Sequence, residues 1–135
     1  MRLFDVVEFV VDMPECGVKA GMSGTIVEIL GGDLYLVEVF DNSNTVDVIE
    51  ARSEQITLKI PFLERGEKVA LDADMPDEKL QHGDIGTVVG KAKGGQFVDV
   101  AFSTLDGHPY RTLTIHVQQI RRLSRNEIAH VRIIE

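Results

Sequence analysis

The side chains able to do chemistry are few in this sequence, and their spacing argues against most of it. There are four histidines, His82, His108, His116 and His130, and a single cysteine, Cys16. A zinc site needs Cys or His ligands at short, repeated separations, and none of the histidines stands in such a pattern. A thiol nucleophile needs a base, and a group to orient that base. Cys16, between Glu15 and Gly17, has no sign of either in its surroundings and reads as an incidental free thiol. Acids gather around two Met-Pro corners: Asp12 and Glu15 at the first, Asp74, Asp77 and Glu78 at the second. Paired carboxylates can move a proton or hold calcium, but no Asp-x-Asp-x-Asp-Gly loop is present. These acids are expected to solvate a loop and, if that loop has a function, to meet a partner. Gly90-Lys91-Ala92-Lys93-Gly94-Gly95 looks like a phosphate cradle but lacks the G-x-x-x-x-G-K-[ST] spacing and a following helix. It reads as a hairpin turn. No cofactor and no metal are expected.

The elements that would position these residues are written twice. Asp12-Met13-Pro14 recurs as Asp74-Met75-Pro76, 62 residues on, and at that offset Gly21, Gly24, Thr25 and Val27 meet Gly83, Gly86, Thr87 and Val89. The same offset matches Val7 with Val69, Gly32 with Gly94, Tyr35 with Phe97 and Phe40 with Phe102. Beyond the aromatic pairs it grows by two, so that Gln55-Ile56 meets Gln119-Ile120. The expected site of the extra residues is the turn at Leu105-Asp106-Gly107. Within each copy short apolar or alternating runs predict strands: 5–11, 25–30, 34–40 and 45–49, then 67–71, 87–92, 96–102 and 110–115, each set closed by a short Gln-Ile segment. Turns are expected at 31–32, 41–44, 94–95 and 106–107. Proline stops the first strand of each copy, and the paired glycines supply turns or bulges.

This pattern predicts an all-β chain of two tandem SH3-like small barrels: residues 1–60, residues 61–123, and a C-terminal extension over 124–135. The linker is Ile60-Pro61-Phe62-Leu63, whose two apolar residues are expected to pack. In the extension, Ser124 with Glu127 three residues later fits a capping box, so a short helical turn is expected there. An extra strand over 130–134 should follow.

Composition narrows the function classes. The chain has 135 residues, a net charge of −8 and no run near the roughly 20 apolar residues that span a bilayer. The opening stretch carries Asp5 and Glu8 and does not read as a secretory signal. A single cysteine makes a reduced, cytoplasmic setting the expectation. Charge is uneven: residues 1–60 hold 11 acids against 4 bases, whereas residues 111–135 hold 5 Arg against 2 Glu. An acidic first half repels nucleic-acid phosphates and would favour a basic protein partner.

The motifs Asp5-Val6-Val7, Met13-Pro14, Gly21-x-x-Gly24-Thr25-Ile26-Val27 and Val37-Glu38-Val39, with Gly83-Asp84-Ile85-Gly86-Thr87-Val88-Val89 in the second copy, resemble a family of small uncharacterised bacterial proteins. Its signature is D-V-V…L-P…G-x-x-G-T-V-V, usually one repeat long. The chain is also similar to the wider KOW and SH3-like group, where G-x-x-G-x-V is common. The resemblance covers about nine-tenths of the chain. It implies the SH3-like fold and, through the settings of some members, a toxin–antitoxin or mobile-element context. The chain departs from the common form in being tandem and in its tail.

The expected function is a non-enzymatic protein-binding module, antitoxin-like or an adaptor. Its partner-binding residues would be Asp12, Glu15, Asp74, Asp77, Glu78, Asp106, His108 and Tyr110. The alternative is a KOW-like nucleic-acid or ribosome-associated module using the basic surface of Arg111, Arg121, Arg122, Arg125 and Arg132. Against it stand the acidic total and the few aromatic rings available for stacking. A small enzyme subunit is the remaining alternative. A homodimer through the C-terminal segment is expected from its opposite charge and added strand.

Overall fold

A computed structural model describes every residue except Asn42, Ser43, Lys93, Arg125 and Glu135; the side chains of Asp41 and of residues 44–46 also lie outside it. The expected turn over 41–44 and the Arg125 side chain therefore lie partly or wholly outside the described residues. The chain divides into two units, Met1–Phe62 and Leu63–Glu135. The boundary falls inside the expected linker, two residues later than the sequence placed it.

Each unit is one five-stranded antiparallel sheet. In the first, β1 (Val6–Phe9), β2 (Ser23–Gly31), β3 (Leu34–Asp41), β4 (Asn44–Arg52) and β5 (Ile56–Ile60) lie in the order β4-β3-β2-β1-β5. In the second, β6 (Lys68–Leu71), β7 (Ile85–Lys91), β8 (Phe97–Ser103), β9 (Pro109–His116) and β10 (Ile120–Arg122) repeat that order as β10-β6-β7-β8-β9. Alternation explains the burial: Val7 and Phe9 of β1, Ile26 of β2 and Tyr35, Val37 and Val39 of β3 share one core, since successive side chains in a strand point to opposite faces. In the second unit Val69 and Leu71, Val88, and Val98, Val100 and Phe102 do the same.

The strand register corrects the alignment of the two copies. Ile26 pairs with Val37, whereas Val88, its counterpart, pairs with Val100. Val37 then pairs with Ile49, and Val100 with Leu113. The offset therefore grows by one residue at each of two hairpins, rather than by two at the Leu105-Asp106-Gly107 turn. Tyr35 corresponds to Val98 and Phe40 to Ser103. The expected pairs Tyr35/Phe97 and Phe40/Phe102 are wrong by one position, which in a strand is the opposite face. Tyr35 is 9% exposed and Phe97 42%.

The two glycines of each Gly-x-x-Gly do different work. Gly21 and Gly83 hold φ of +96° and +93° in the turn before β2 and β7, a conformation that L side chains resist. Gly24 and Gly86 lie within the sheet where a neighbouring strand comes close. A Cβ on Gly24 would stand 2.5 Å from Val37 Cγ1 and 2.8 Å from the Glu38 carbonyl oxygen. The Met-Pro corners begin short 3-10 turns, Pro14–Cys16 and Pro76–Glu78, and each is closed by an isolated bridge, Met13 with Val18 and Met75 with Leu80. In the linker, Phe62 packs edge-to-face on Phe4 with ring centroids 5.4 Å apart, and Leu63 is buried. Asp5, fully buried, accepts hydrogen bonds from the Phe62 and Arg2 backbone N–H groups, both at 2.8 Å.

The C-terminal extension departs from expectation. The Glu127 carboxylate does accept from the Ser124 backbone N–H, and the Glu127 N–H donates to the Ser124 carbonyl at 3.3 Å. One turn closes, and no helix follows. Residues 130–134 form no strand. The physical reason is how they are held. Arg132 anchors them through its side chain to Asp84 and to the Lys79 carbonyl. The segment lies across β7 and β8, whose residues share a cleft with it, instead of beside an edge strand that could offer a hydrogen-bond ladder.

Candidate functional site

The acids of the first loop turn out to be builders of that loop. Asp12 accepts from the Ala20 backbone N–H at 2.8 Å, and Asp74 accepts from His82 N–H at the same distance. One carboxylate thus closes the same loop in each copy. Glu15 and Asp77 are exposed on the 3-10 turns. Cys16 is half-buried against the first core. His82 meets Asp72 at 3.2 Å, and His116 accepts from the Gln118 N–H at 3.1 Å. Among the described residues no three His, Cys, Asp or Glu side chains gather to hold a metal ion. Gly94 and Gly95, with φ of +87° and +73°, belong to the β7–β8 hairpin connection, as the sequence indicated.

In the second unit the candidates converge. Tyr110, at the start of β9, donates its hydroxyl to the Glu78 carbonyl at 2.9 Å. Next to it Arg111 pairs with the Glu78 carboxylate at 3.2 Å and lies 5.2 Å from the centre of the Tyr110 ring. The Glu78 carboxylate and the hydrogen bond with Tyr110 both raise the Arg111 pKa, the hydrogen bond most. Glu78, Tyr110 and Arg111 correspond to Cys16, Val46 and Asp47 of the first unit, so this polar cluster belongs to the second copy alone. Asp106 and His108 form a separate, exposed group in the β8–β9 turn, with Asp106 bonded to the Thr104 hydroxyl and to His108 Nδ1, the latter at 2.8 Å. Those bonds, that from Thr104 foremost, hold the Asp106 carboxyl below its ordinary value.

The expected basic surface is largely neutralised. Arg111 faces Glu78, Arg121 pairs with Glu127, and Arg132 pairs with Asp84. Arg122 is half-buried in β10, and Arg125 lies outside the described residues. Sequence reading did not single out Asp84 as a site residue. Its carboxylate accepts from the Gln81 N–H at 2.8 Å and from Arg132 Nε at 2.8 Å, and Arg132 reaches it with a second nitrogen. Burial raises the Asp84 pKa, but the Arg132 and Gln81 hydrogen bonds and the Arg132 charge together outweigh it, and the net shift is downward. In the first copy Met22 stands in its place, its sulfur accepting from the Lys19 N–H at 3.2 Å. A departure from the repeat was the signal available for Asp84.

Two clefts flank the tail. One of about 670 Å³ is lined by Ile85–Thr87 of β7, Ala101–Ser103 of β8, Leu105, Tyr110 and residues 129–134. The other, of about 520 Å³, is lined by residues 81–85, Arg121 and residues 127–132. Leu105, Val131 and Ile133 are 91%, 74% and 83% exposed, so apolar side chains stand at this part of the surface.

Fold and site together define a tandem duplication of a five-stranded antiparallel β unit, in which the second copy alone carries a side-chain clasp on the C-terminal segment. The chain belongs to the DUF4926 family, a domain of unknown function, whose profile matches it twice, over residues 3–58 and 67–122. No curated protein matches the chain. Among solved structures it is similar to a crystal structure of Arabidopsis thaliana AGDP1 AGD34, at 20% identity over 90% of this chain and 81% of that one. With a TM-score of 0.33, that likeness supports nothing further here. No helix among the described residues is long and apolar enough to cross a membrane.

Proposed function

We propose that the chain is a non-enzymatic protein-binding module built from two SH3-like barrels, and that its recognition surface is the cleft of the second unit. The observation that carries this reading is the cleft of about 670 Å³ between the tail and β7–β8, with exposed Leu105 and Ile133 beside Tyr110. Exposed apolar groups around a concave, partly polar surface are what protein partners cover. Asp12 and Asp74 lie outside this surface and accept loop backbone N–H groups, a structural role. In this reading the protein is an adaptor or antitoxin-like component of the cytoplasm. The nucleic-acid alternative has less support, since three of its arginines face carboxylates.

The test is a photo-crosslinking residue placed at Leu105 and, as a control, at Ile29 of the first unit, in cells that carry the gene. Ile29 is exposed too, at 45%. A protein captured reproducibly from position 105 and not from position 29 is the expected result. The same pattern from both positions, or nucleic acid in place of protein at 105, would overturn the reading.

A further inference from the structure

The two clefts of the second unit have a common floor and a common wall. Both include Asp84 and Ile85, and both are bounded by residues 129–132 of the tail. The tail is therefore a strip laid along a single trough, dividing it. Its fastening is sparse. Among the described residues, no backbone N–H of 128–134 donates to the backbone of the sheet. Ile128, Val131 and Ile133 are 86%, 74% and 83% exposed, while the Arg132 side chain is 28% exposed and Ile134 is half-buried.

What holds the strip is an arginine read as an arginine. Asp84, 19% exposed, takes two nitrogens of the guanidinium, and the Lys79 carbonyl takes a further bond at 2.8 Å. A forked, charge-assisted pair of this kind is selective for Arg over Lys, whose ammonium is a single point charge. The first unit has Met22 where Asp84 stands and cannot offer it.

We propose that the trough of the second unit is a peptide-binding groove that reads an arginine with an aliphatic residue two positions on, and that the tail is its built-in, displaceable ligand. The partner that fits is an extended segment of another protein carrying Arg with an Ile- or Val-like residue two positions on. This rests on the protein-binding reading and names its ligand chemistry. A tethered ligand competes at an effective concentration of about a millimolar, so an incoming peptide must displace it.

The test titrates a fluorescein-labelled peptide of residues 126–135 against the full chain and reads anisotropy. Arg132→Ala, which frees the trough, should bind it about tenfold or more tightly than wild type does. Arg132→Lys should fall between the two. Adding Asp84→Asn to Arg132→Ala should abolish binding, as should an Arg-to-Ala change in the peptide. Equal binding to wild type and Arg132→Ala would overturn the proposal, as would no binding to an Arg132→Ala chain whose melting matches wild type. If Arg132→Ala does not fold, Arg132→Lys carries the comparison, and binding no tighter than wild type overturns it. A wild-type dimer that Arg132→Ala dissolves would also overturn it, because a second copy would then be the occupant. Capture from position 105 persisting alongside any of these failures would leave protein binding standing and remove only the arginine groove.

Discussion

Gly24→Ala tests the close approach of β2 and β3 more sharply than any core truncation would. The added Cβ would sit 2.5 Å from Val37 Cγ1 and 2.8 Å from the Glu38 carbonyl oxygen. The valine can change rotamer, but the carbonyl belongs to the sheet, so the strands must part. Overpacking of this kind costs about 1–3 kcal/mol, and loosening a ladder hydrogen bond adds about 1 kcal/mol. We expect about 3 kcal/mol for Gly24→Ala. Gly86→Ala should cost about 2 kcal/mol, because its nearest backbone atom, Ala101 O, is farther away at 3.1 Å. Gly21→Ala is the control: nothing lies within 4 Å of its added Cβ, and only φ of +96° opposes it, at about 1–2 kcal/mol. A unit of this size has about 3–9 kcal/mol of stability in total, so the Gly24 change should come close to unfolding its unit. The two tyrosines make the assay specific, since Tyr35 lies in the first unit and Tyr110 in the second. Urea unfolding followed by Tyr35 fluorescence in a Tyr110→Phe background reads the first unit alone. A Gly24→Ala midpoint no lower than that of Gly21→Ala would refute the reasoning.

Lys79 holds φ of +58° where the first copy has Gly17. Lys79→Gly should stabilise the second unit by about 1 kcal/mol, seen as a higher melting temperature of the Tyr110-reported transition. Asp12→Ala should cost the first unit about 1–2 kcal/mol by leaving the Ala20 N–H without its acceptor, whereas Asp12→Asn keeps an acceptor and should cost far less in the same urea titration. The Asp84 pKa is depressed in the folded chain, so its contribution is present above the ordinary carboxylate pKa of 3.8 and is lost as pH falls through the lower folded value. The heteronuclear NOE of residues 128–134 should therefore fall as pH drops below about 4, and an Asp84→Asn chain should show no such step.

Much of the fold was legible because strand structure repeats in the sequence at short range. The alternation in Phe97-Val98-Asp99-Val100-Ala101-Phe102 places Val98, Val100 and Phe102 on one face, and the structure buries all three. Matching aromatic to aromatic along a fixed offset overrode that local evidence. It set Phe97 against Tyr35, although one extra residue in a hairpin turns every following side chain over. The tail misled for a different reason. His-Val-Arg-Ile-Ile has the composition of a strand, but what fixes it is Arg132 on Asp84, 48 residues away, and no local pattern reports a contact at that separation. Tyr110 was legible as a candidate, while its partner atom, a backbone carbonyl of Glu78, was not.

The divergences between the copies point in one direction once the register is right. Each unit keeps a non-glycine residue at a left-handed position where the other has glycine: Phe4 against Gly66, and Lys79 against Gly17. Such positions cost about 1–2 kcal/mol, so the residue there must gain something from its side chain or its place. Phe4 does, through its edge-to-face contact with Phe62. The Lys79 carbonyl is one of the two groups that receive Arg132, and Asp84, the other, closes the same loop through the Gln81 N–H. Glu78, beside Lys79, anchors Tyr110 and Arg111 of β9. Among the positions at which this loop differs between the copies, 78, 79 and 84 touch β9 or the tail, while the loop-closing aspartate and the Met-Pro corner stay unchanged. If these changes were drift without function, restoring Cys, Gly and Met at 78, 79 and 84 should leave the heteronuclear NOE of the tail as it was. We expect instead that the restored loop keeps its fold and releases the tail, because Met at 84 offers Arg132 no charge to pair with.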